Sequence, residues 1–420
     1  MKKFTLYPGV SLTVHRSHKF RTSCFSVNLL RPLCREEASQ NALLLEVLMR
    51  GSRLHPDMQS ISSATDDLYG AEIGILLRKR GEVQCMGLFA DFVEDSLVPE
   101  GDIFQKTASL VAEILLDPYM EQGALKEDYV LREKDTLADS IRARINNKQS
   151  YAVRSMIDIM CQDEAYRVDR MGEEEDLIPI TAQSLTDHWK KVLATSRVEI
   201  LYMGSQEEDT VAEVFRKVLA TMPRGELAPV TTEFRPHATA VKECSGTLDV
   251  TQGKLCMGFR LGMDCHSPHW HKMLVMNAVY GAGVTSKLFQ NVREKRSLCY
   301  SVSSSIEKHK GIGLVTAGIS FDQYEEAKTA ILREWEACQR GEITEEELSS
   351  AKAHLCSSLR TQKDSLGQTD DFYLGQAVAG TEETMDSLME KISTVTKEDV
   401  QFASQQMSLD TIYFLKGGQA

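Results

Sequence analysis

A chain of 420 residues with 61 acidic and 48 basic side chains has a net charge of −13 and is too long for one ordinary core. An acidic balance with no basic block argues against a nucleic-acid partner, whose binding rests on neutralising phosphates. No apolar run reaches the ~18 residues that a membrane helix needs, and Pro8-Gly9 breaks the N-terminal stretch early, so neither a membrane span nor a signal peptide is expected. Ten cysteines lie scattered without a Cys-x-x-Cys pair, which predicts a reduced, cytoplasmic protein.

In chain order, the pattern predicts a strand over 24–30 (CFSVNLL) and a helix over 39–51 (SQNALLLEVLMRG). A polar loop follows, then a strand pair over 71–95 that folds back at RKRGE. A helix over 104–118 comes next, and GALKEDY at 123–129 opens a long charged helix. The stretch 222–246 is rich in Pro and Thr and lacks apolar periodicity, which marks a linker. Beyond it the same order returns. A strand over 255–261 precedes helices over 270–283 and 286–295, and a strand pair over 298–323 folds back at EKHKG. A helix over 325–338 follows, and Thr344 with Glu347 forms a capping box that opens another charged helix. The final DTIYFLKGG is one more strand.

The repeat has a period of roughly 220 residues, so it signals a duplicated domain and not a solenoid. The boundaries are 1–221, a linker at 222–245, and 246–420. Strands followed by helices, twice over, predict an α+β fold: two homologous domains, each a mostly antiparallel sheet with helices packed on one face.

Chemistry is sparse. His266, His269 and His271, with Cys265, could reach a tetrahedral ion, but Ser267-Pro268 forces a turn, and these groups are expected to splay over a loop. The glycines at 281 and 283 complete neither a Walker loop nor a dinucleotide fingerprint. On the first-half helix, Glu46 sits where an inverse zinc motif would place its ligands. Yet Leu43 and Val47 flank it, and no His occurs between His18 and His55. Glu46 alone reads most simply as a helix glutamate.

The stretch Gly281-AGVTSKLFQNVREKRSLCYS carries the more specific signal. It closely resembles the second-half motif of the pitrilysin/insulinase family of zinc peptidases, in the branch that includes the mitochondrial processing peptidase. The resemblance covers essentially the whole chain and implies the duplicated LuxS/metallopeptidase-like fold. It also exposes departures. In this family the first half carries His-x-x-Glu-His, and here Asn41-ALLLEVLMRGS stands in its place. One alignment matches Glu46 to the family glutamate, whereas alignment on Gly51-Ser52 puts Glu46 at the second histidine; the third ligand, a Glu in the family, falls at Ser140 or next to Asp139. The resemblance therefore implies a chain without metal ligands or cofactor of its own and without activity alone, its zinc being held by a partner chain.

By the same resemblance, Arg296 and Tyr300 would face a peptide carbonyl and stabilise its oxyanion in trans to that zinc-bearing partner. The plainer alternative is a packed tyrosine, since Leu298, Tyr300 and Val302 share strand parity. Within the family, the chain resembles the metal-less member of paired insulinase-like proteins in Gram-positive bacteria, some of which are linked to elongation factor P modification. Two readings stand at this point: the non-zinc subunit of a heterodimeric peptidase acting on short or unfolded peptides, or an inert scaffold that binds a peptide or partner. When isolated, the chain could also pair with itself.

Overall fold

Residues 1–99 and 101–418 are described by the computed structural model, and their strands fall into two large sheets and one short ribbon. The first sheet takes β1 (Lys2–Tyr7), β2 (Val10–Arg16), β3 (Thr22–Pro32), β4 (Glu72–Arg80) and β5 (Val83–Val93). The ribbon is β6 (Met120–Glu121) with β7 (Ala124–Leu125), and β8 (Arg197–Gly204) completes the first sheet. The second sheet takes β9 (Lys242–Leu248), β10 (Gly253–Arg260), β11 (Ser301–Glu307), β12 (Ile312–Ile319) and β13 (Ser408–Gly417).

The strand orders make the duplication explicit. The first sheet runs β1-β2-β8-β3-β5-β4 and the second, read from its far edge, β9-β13-β10-β12-β11. Setting β1 aside, the two match strand for strand. The match extends to direction: β2 with β8 and β9 with β13 are the parallel pairs, and the other pairs are antiparallel. Both predicted hairpins are present, and their turns use glycines in the left-handed region, Gly81 at φ 55 and Gly311 at φ 66. The α+β reading thus holds at the level of topology.

Strand parity shows how each sheet is covered. In β3, Phe25, Val27 and Leu29 point into the main core, where Phe25 meets Phe215 edge-on at 5.2 Å and Phe92 at 5.8 Å. Cys24 and Leu30 point the other way, into a smaller cluster with Leu366, Tyr373 and Leu374. Helices of the first half therefore fill one face, and a single helix, Leu366–Ala379, lies on the other. The second sheet repeats this: Cys256, Tyr413 and Leu415 pack against the helix Lys148–Met160 through Ala152 and Met156.

Each of these two helices belongs by sequence to the opposite half. The compact units are accordingly discontinuous: 1–142, 168–231 and 365–378 form one, while 143–167, 232–364 and 379–420 form the other. Boundaries drawn along the chain at 221 and 246 do not show this exchange, because nothing in a helix's own apolar stripe names the sheet it will cover. The stretch read as linker also ends in a strand. β9 has alternating burial but is built from KECSGTL, so its polar composition hides an edge strand.

Local stops and starts follow the sequence closely. Thr344 caps the helix Glu345–Gln362, its Oγ1 accepting from the Glu347 amide at 3.1 Å while Glu347 accepts from the Thr344 amide at 2.8 Å. Thr344→Ala is expected to lower stability by about 1 kcal/mol, read as a shift in the urea midpoint. All ten cysteines are free. Among the described residues no helix is long and apolar enough to cross a membrane.

Candidate functional site

The first-half helix spans Arg35–Leu48 and buries Ala42, Leu43, Leu45 and Val47. A polar chain fixes its inner face. Asn41 is fully buried, donates to Gln84 Oε1 at 2.7 Å and accepts from His188 Nε2 at 2.7 Å. Burial pushes His188 down to about 4, so its imidazole is neutral here and acts as a structural donor. Neither His nor Cys lies on the helix itself.

Glu46 is half-buried on this helix, and Arg50 lies one turn further on. The Arg50 guanidinium donates through Nε to Glu133, a buried residue of the helix Glu127–Ala143, and its Nη1 lies 3.1 Å from Met58 Sδ. Burial raises the Glu46 carboxyl above its usual value, the Glu133 charge adds to this, and Arg50 opposes it. The sequence reading put the third ligand position near Ser140 or Asp139. The structure instead brings up Glu133, two turns earlier, while Asp139 is exposed and pairs with Arg142 at 2.8 Å. Two carboxylates with a guanidinium hydrogen-bonded to one of them are a poor fit for zinc, which wants imidazole or thiolate donors and no competing fixed cation. Among the described residues, no group of three or more His, Cys, Asp or Glu side chains could hold a metal.

Gly51-Ser52, the other trace of the family pattern, has a structural job. A Cβ on Gly51 would meet the Pro56 carbonyl oxygen at 2.5 Å, so the turn closes only with glycine. Ser52 donates to Glu113, which also sits 3.0 Å from His55 Nδ1.

The second-half motif is built differently from an ordinary helix end. Leu288–Glu294 is π-helical, a geometry common at functional sites. Ser297 then turns the chain at φ 54, and the Leu298 amide reaches back to the Val292 carbonyl at 3.1 Å. Leu298 and Cys299 are consecutive and both buried, which breaks the assumed strand parity. Tyr300 consequently points outward and is 69% exposed, although its amide is pinned to the Gly318 carbonyl at 2.9 Å. It does not pack in the core.

Arg296 is also exposed, but no hydrogen bond joins it to Tyr300. It lines a cavity of about 450 Å³ together with side chains of the helix Tyr324–Gln339, and Tyr300 is not part of that lining. The arginine that touches Tyr300 is Arg293. Its Nε donates to the Tyr300 carbonyl at 3.0 Å, and its guanidinium lies over the Phe289 ring at 4.5 Å. Sequence reasoning passed over Arg293 because a π-helical register could not be anticipated from spacing. Burial pushes the neighbouring Cys299 thiol up to about 11, with Arg293 opposing, so it stays protonated at neutral pH and makes a poor nucleophile.

The histidine cluster splays as expected. His266 bonds Asp264 at 3.1 Å and the Ala379 carbonyl at 3.0 Å, while His269 meets the Phe402 ring edge-on at 5.6 Å.

Comparison with known proteins agrees with this picture. Residues 179–355 match the family model described as the peptidase M16 inactive domain. The chain is 30% identical to the probable inactive metalloprotease YmfF of Bacillus subtilis, over 97% of this chain and 96% of that one. It is 24% identical to the uncharacterized zinc protease YmxG of the same organism, over 56% of this chain and 58% of that one. A conserved protein from Enterococcus faecalis has the same fold, with a TM-score of 0.91, 26% identity, and coverage of 100% of this chain and 99% of that one. The peptidase M16 inactive domain from Pseudomonas fluorescens superposes with a TM-score of 0.81 at 17% identity, over 100% and 98% of the two chains. A duplicated α+β fold, a motif helix that carries neither His nor Cys, and a relative matched over its full length and named a probable inactive metalloprotease all lead to one assignment: the chain belongs to the M16, or insulinase, family as a homologue of its inactive members.

Proposed function

We propose that this chain is the non-zinc subunit of a heterodimeric insulinase-family peptidase, presenting substrate contacts in trans to a zinc-bearing partner. The observation that carries this reading is the outward-facing Tyr300, held by a pinned backbone at the start of an edge strand. A core tyrosine would need no such arrangement. β11, which follows it, is the edge strand of its sheet and exposes Ser301, Ser303 and Ser305, although the Ser304 amide on its outer side is taken by the Gly281 carbonyl at 3.0 Å, so a peptide would meet this strand through its exposed serines. An inactive homologue and a zinc protease relative occur together in Bacillus subtilis, which supports a companion chain of the expected kind. Short or unfolded peptides are the substrate class, and a cytoplasmic location fits the free cysteines. A connection with elongation factor P modification comes from the resemblance, and unchanged modification after deletion of the gene would remove it.

The test mixes the purified chain with an M16 companion bearing His-x-x-Glu-His from the same organism. Alone, the chain should hold no stoichiometric zinc and cleave no peptide, and the mixture should gain peptidase activity with a one-to-one complex on size exclusion. A companion that is equally active without this chain would leave only the scaffold reading.

A further inference from the structure

The cavity beside Arg296 is more basic than a chain with net charge −13 would lead one to expect. Five cations line it: Lys287, Lys295, Arg296, Arg333 and Arg340. Lys287 is buried and paired with Glu347 at 2.9 Å, and Arg340 is paired with Glu342 at 2.7 Å. The remaining three have no carboxylate bonded to them among the described residues. Lys295 reaches only the Asn291 side-chain oxygen, at 2.9 Å, and Arg296 and Arg333 make no hydrogen bond or ion pair. Two carboxylates share the lining: Glu334 is engaged by Asn291 at 2.7 Å, and Glu342 is held by Arg340, with the charges of Lys287 and Arg333 adding to the pull that keeps it below its usual value.

Two guanidiniums, Arg296 from the turn that follows the π-helix and Arg333 from the helix Tyr324–Gln339, thus share one concavity, and neither is hydrogen-bonded to the two carboxylates, Glu334 and Glu342, that line it with them. Like charges held together disfavour the folded state unless a ligand relieves them. Guanidinium forks match planar carboxylates and phosphates in two-point contacts. A volume of about 450 Å³ is ample for a few residues of peptide or a small anion. The turn that carries Arg296 leads within four residues to the exposed Tyr300 and the exposed serines of the edge strand β11, so a chain lying across them could place an acidic side chain here.

We propose that this pocket binds the carboxylates of an acidic peptide segment and so selects acidic substrates for the site containing Tyr300. The inference rests on the peptide-binding reading above, but it is tested without any partner or cleavage. A fluorescein-labelled, glutamate-rich hexapeptide is titrated with the purified chain and followed by anisotropy, with the glutamine equivalent and inorganic phosphate as separate arms. The glutamate peptide should bind and weaken steeply with added salt. The glutamine peptide should bind at least tenfold more weakly, and Arg333→Glu should cost at least tenfold without lowering the thermal midpoint, which relief of the clustered charge should if anything raise. Arg333 is exposed, and a milder Arg333→Gln variant guards against misfolding. Equal binding of both peptides, or no effect of either Arg333 variant, overturns the proposal. Displacement by millimolar phosphate with no binding of the glutamate peptide would assign the pocket to a small anion and also overturn it. If the mixed enzyme cleaves neutral peptides while this pocket binds nothing, the heterodimer reading survives and only the acidic preference is lost.

Discussion

Glu164→Gln is expected to destabilise the second unit by about 3–5 kcal/mol, among the largest effects available to a single substitution in this chain. Glu164 is buried and bridges two buried cations: Lys310 Nζ at 2.6 Å and Arg260 at 2.5 Å. Arg260 also holds Asp410 on β13 at 2.8 Å and the Met160 carbonyl at 3.1 Å. The network therefore fastens the exchanged segment 143–167 to the sheet it covers. Neutralising Glu164 takes a shared countercharge from two desolvated cations, whereas Arg235, which approaches the same carboxylate from the exposed side at 3.6 Å, contributes little.

The same carboxyl makes the unit acid-sensitive. Burial opposes its ionisation, but the hydrogen bonds and charges of Arg260 and Lys310 outweigh this and hold it below the usual carboxylate value. A depressed folded-state pKa means that the stabilisation is full above the unfolded value, about 4.3, and drains away as pH falls through the folded one. Urea midpoints of the wild type should fall steeply below about pH 4.5. The Gln variant should start lower and slope less. Hydrogen exchange should show the helix Lys148–Met160 released first, and a midpoint within about 1 kcal/mol of wild type would mean the cluster is not a keystone.

This cluster also marks where sequence reading stops. The strands at 24–30, 255–261 and the chain's last DTIYFLKGG, both hairpins, the Thr344 cap and the duplicated order were legible because period, turn residues and capping boxes are local signals. By contrast, β1, β2 and β8 were not picked out and β9 was read as linker. Glu164, Arg260, Lys310 and Asp410 lie far apart in sequence, and each looks like an ordinary surface charge until the fold gathers them. The exchange of helices 148–160 and 366–379 was hidden for the same reason. At the candidate site, the missing ligands could be read directly, because the residue types were wrong whatever the register. The partner of Tyr300 could not. Ordinary helical spacing does not foretell that Arg293 meets the Tyr300 carbonyl, because a π-helical turn followed by a left-handed Ser297 brings that guanidinium to it.

The different surroundings of Arg293 and Arg296 separate two kinetic outcomes. In the mixed enzyme, Tyr300→Phe is expected to lower kcat by about 10²-fold with KM nearly unchanged, the usual cost of removing one donor to a developing oxyanion. The change deletes a single exposed hydroxyl, so folding is not at issue. Arg293→Ala should lower kcat too, because its bond to the Tyr300 carbonyl and its stacking on Phe289 fix the backbone that aims the phenol. Arg293→Lys should recover only part of this, since an ammonium cannot reproduce the planar contact. Arg296→Ala discriminates between the two placements. If Arg296 reaches the reacting carbonyl, kcat falls as it does for Tyr300→Phe. Its position in the basic cavity instead predicts an unchanged kcat and a raised KM for acidic peptides alone. Combined Tyr300→Phe and Arg293→Ala should be no worse than the more damaging single change, because both act on one donor. Full activity of that double variant would sink the contribution in trans altogether.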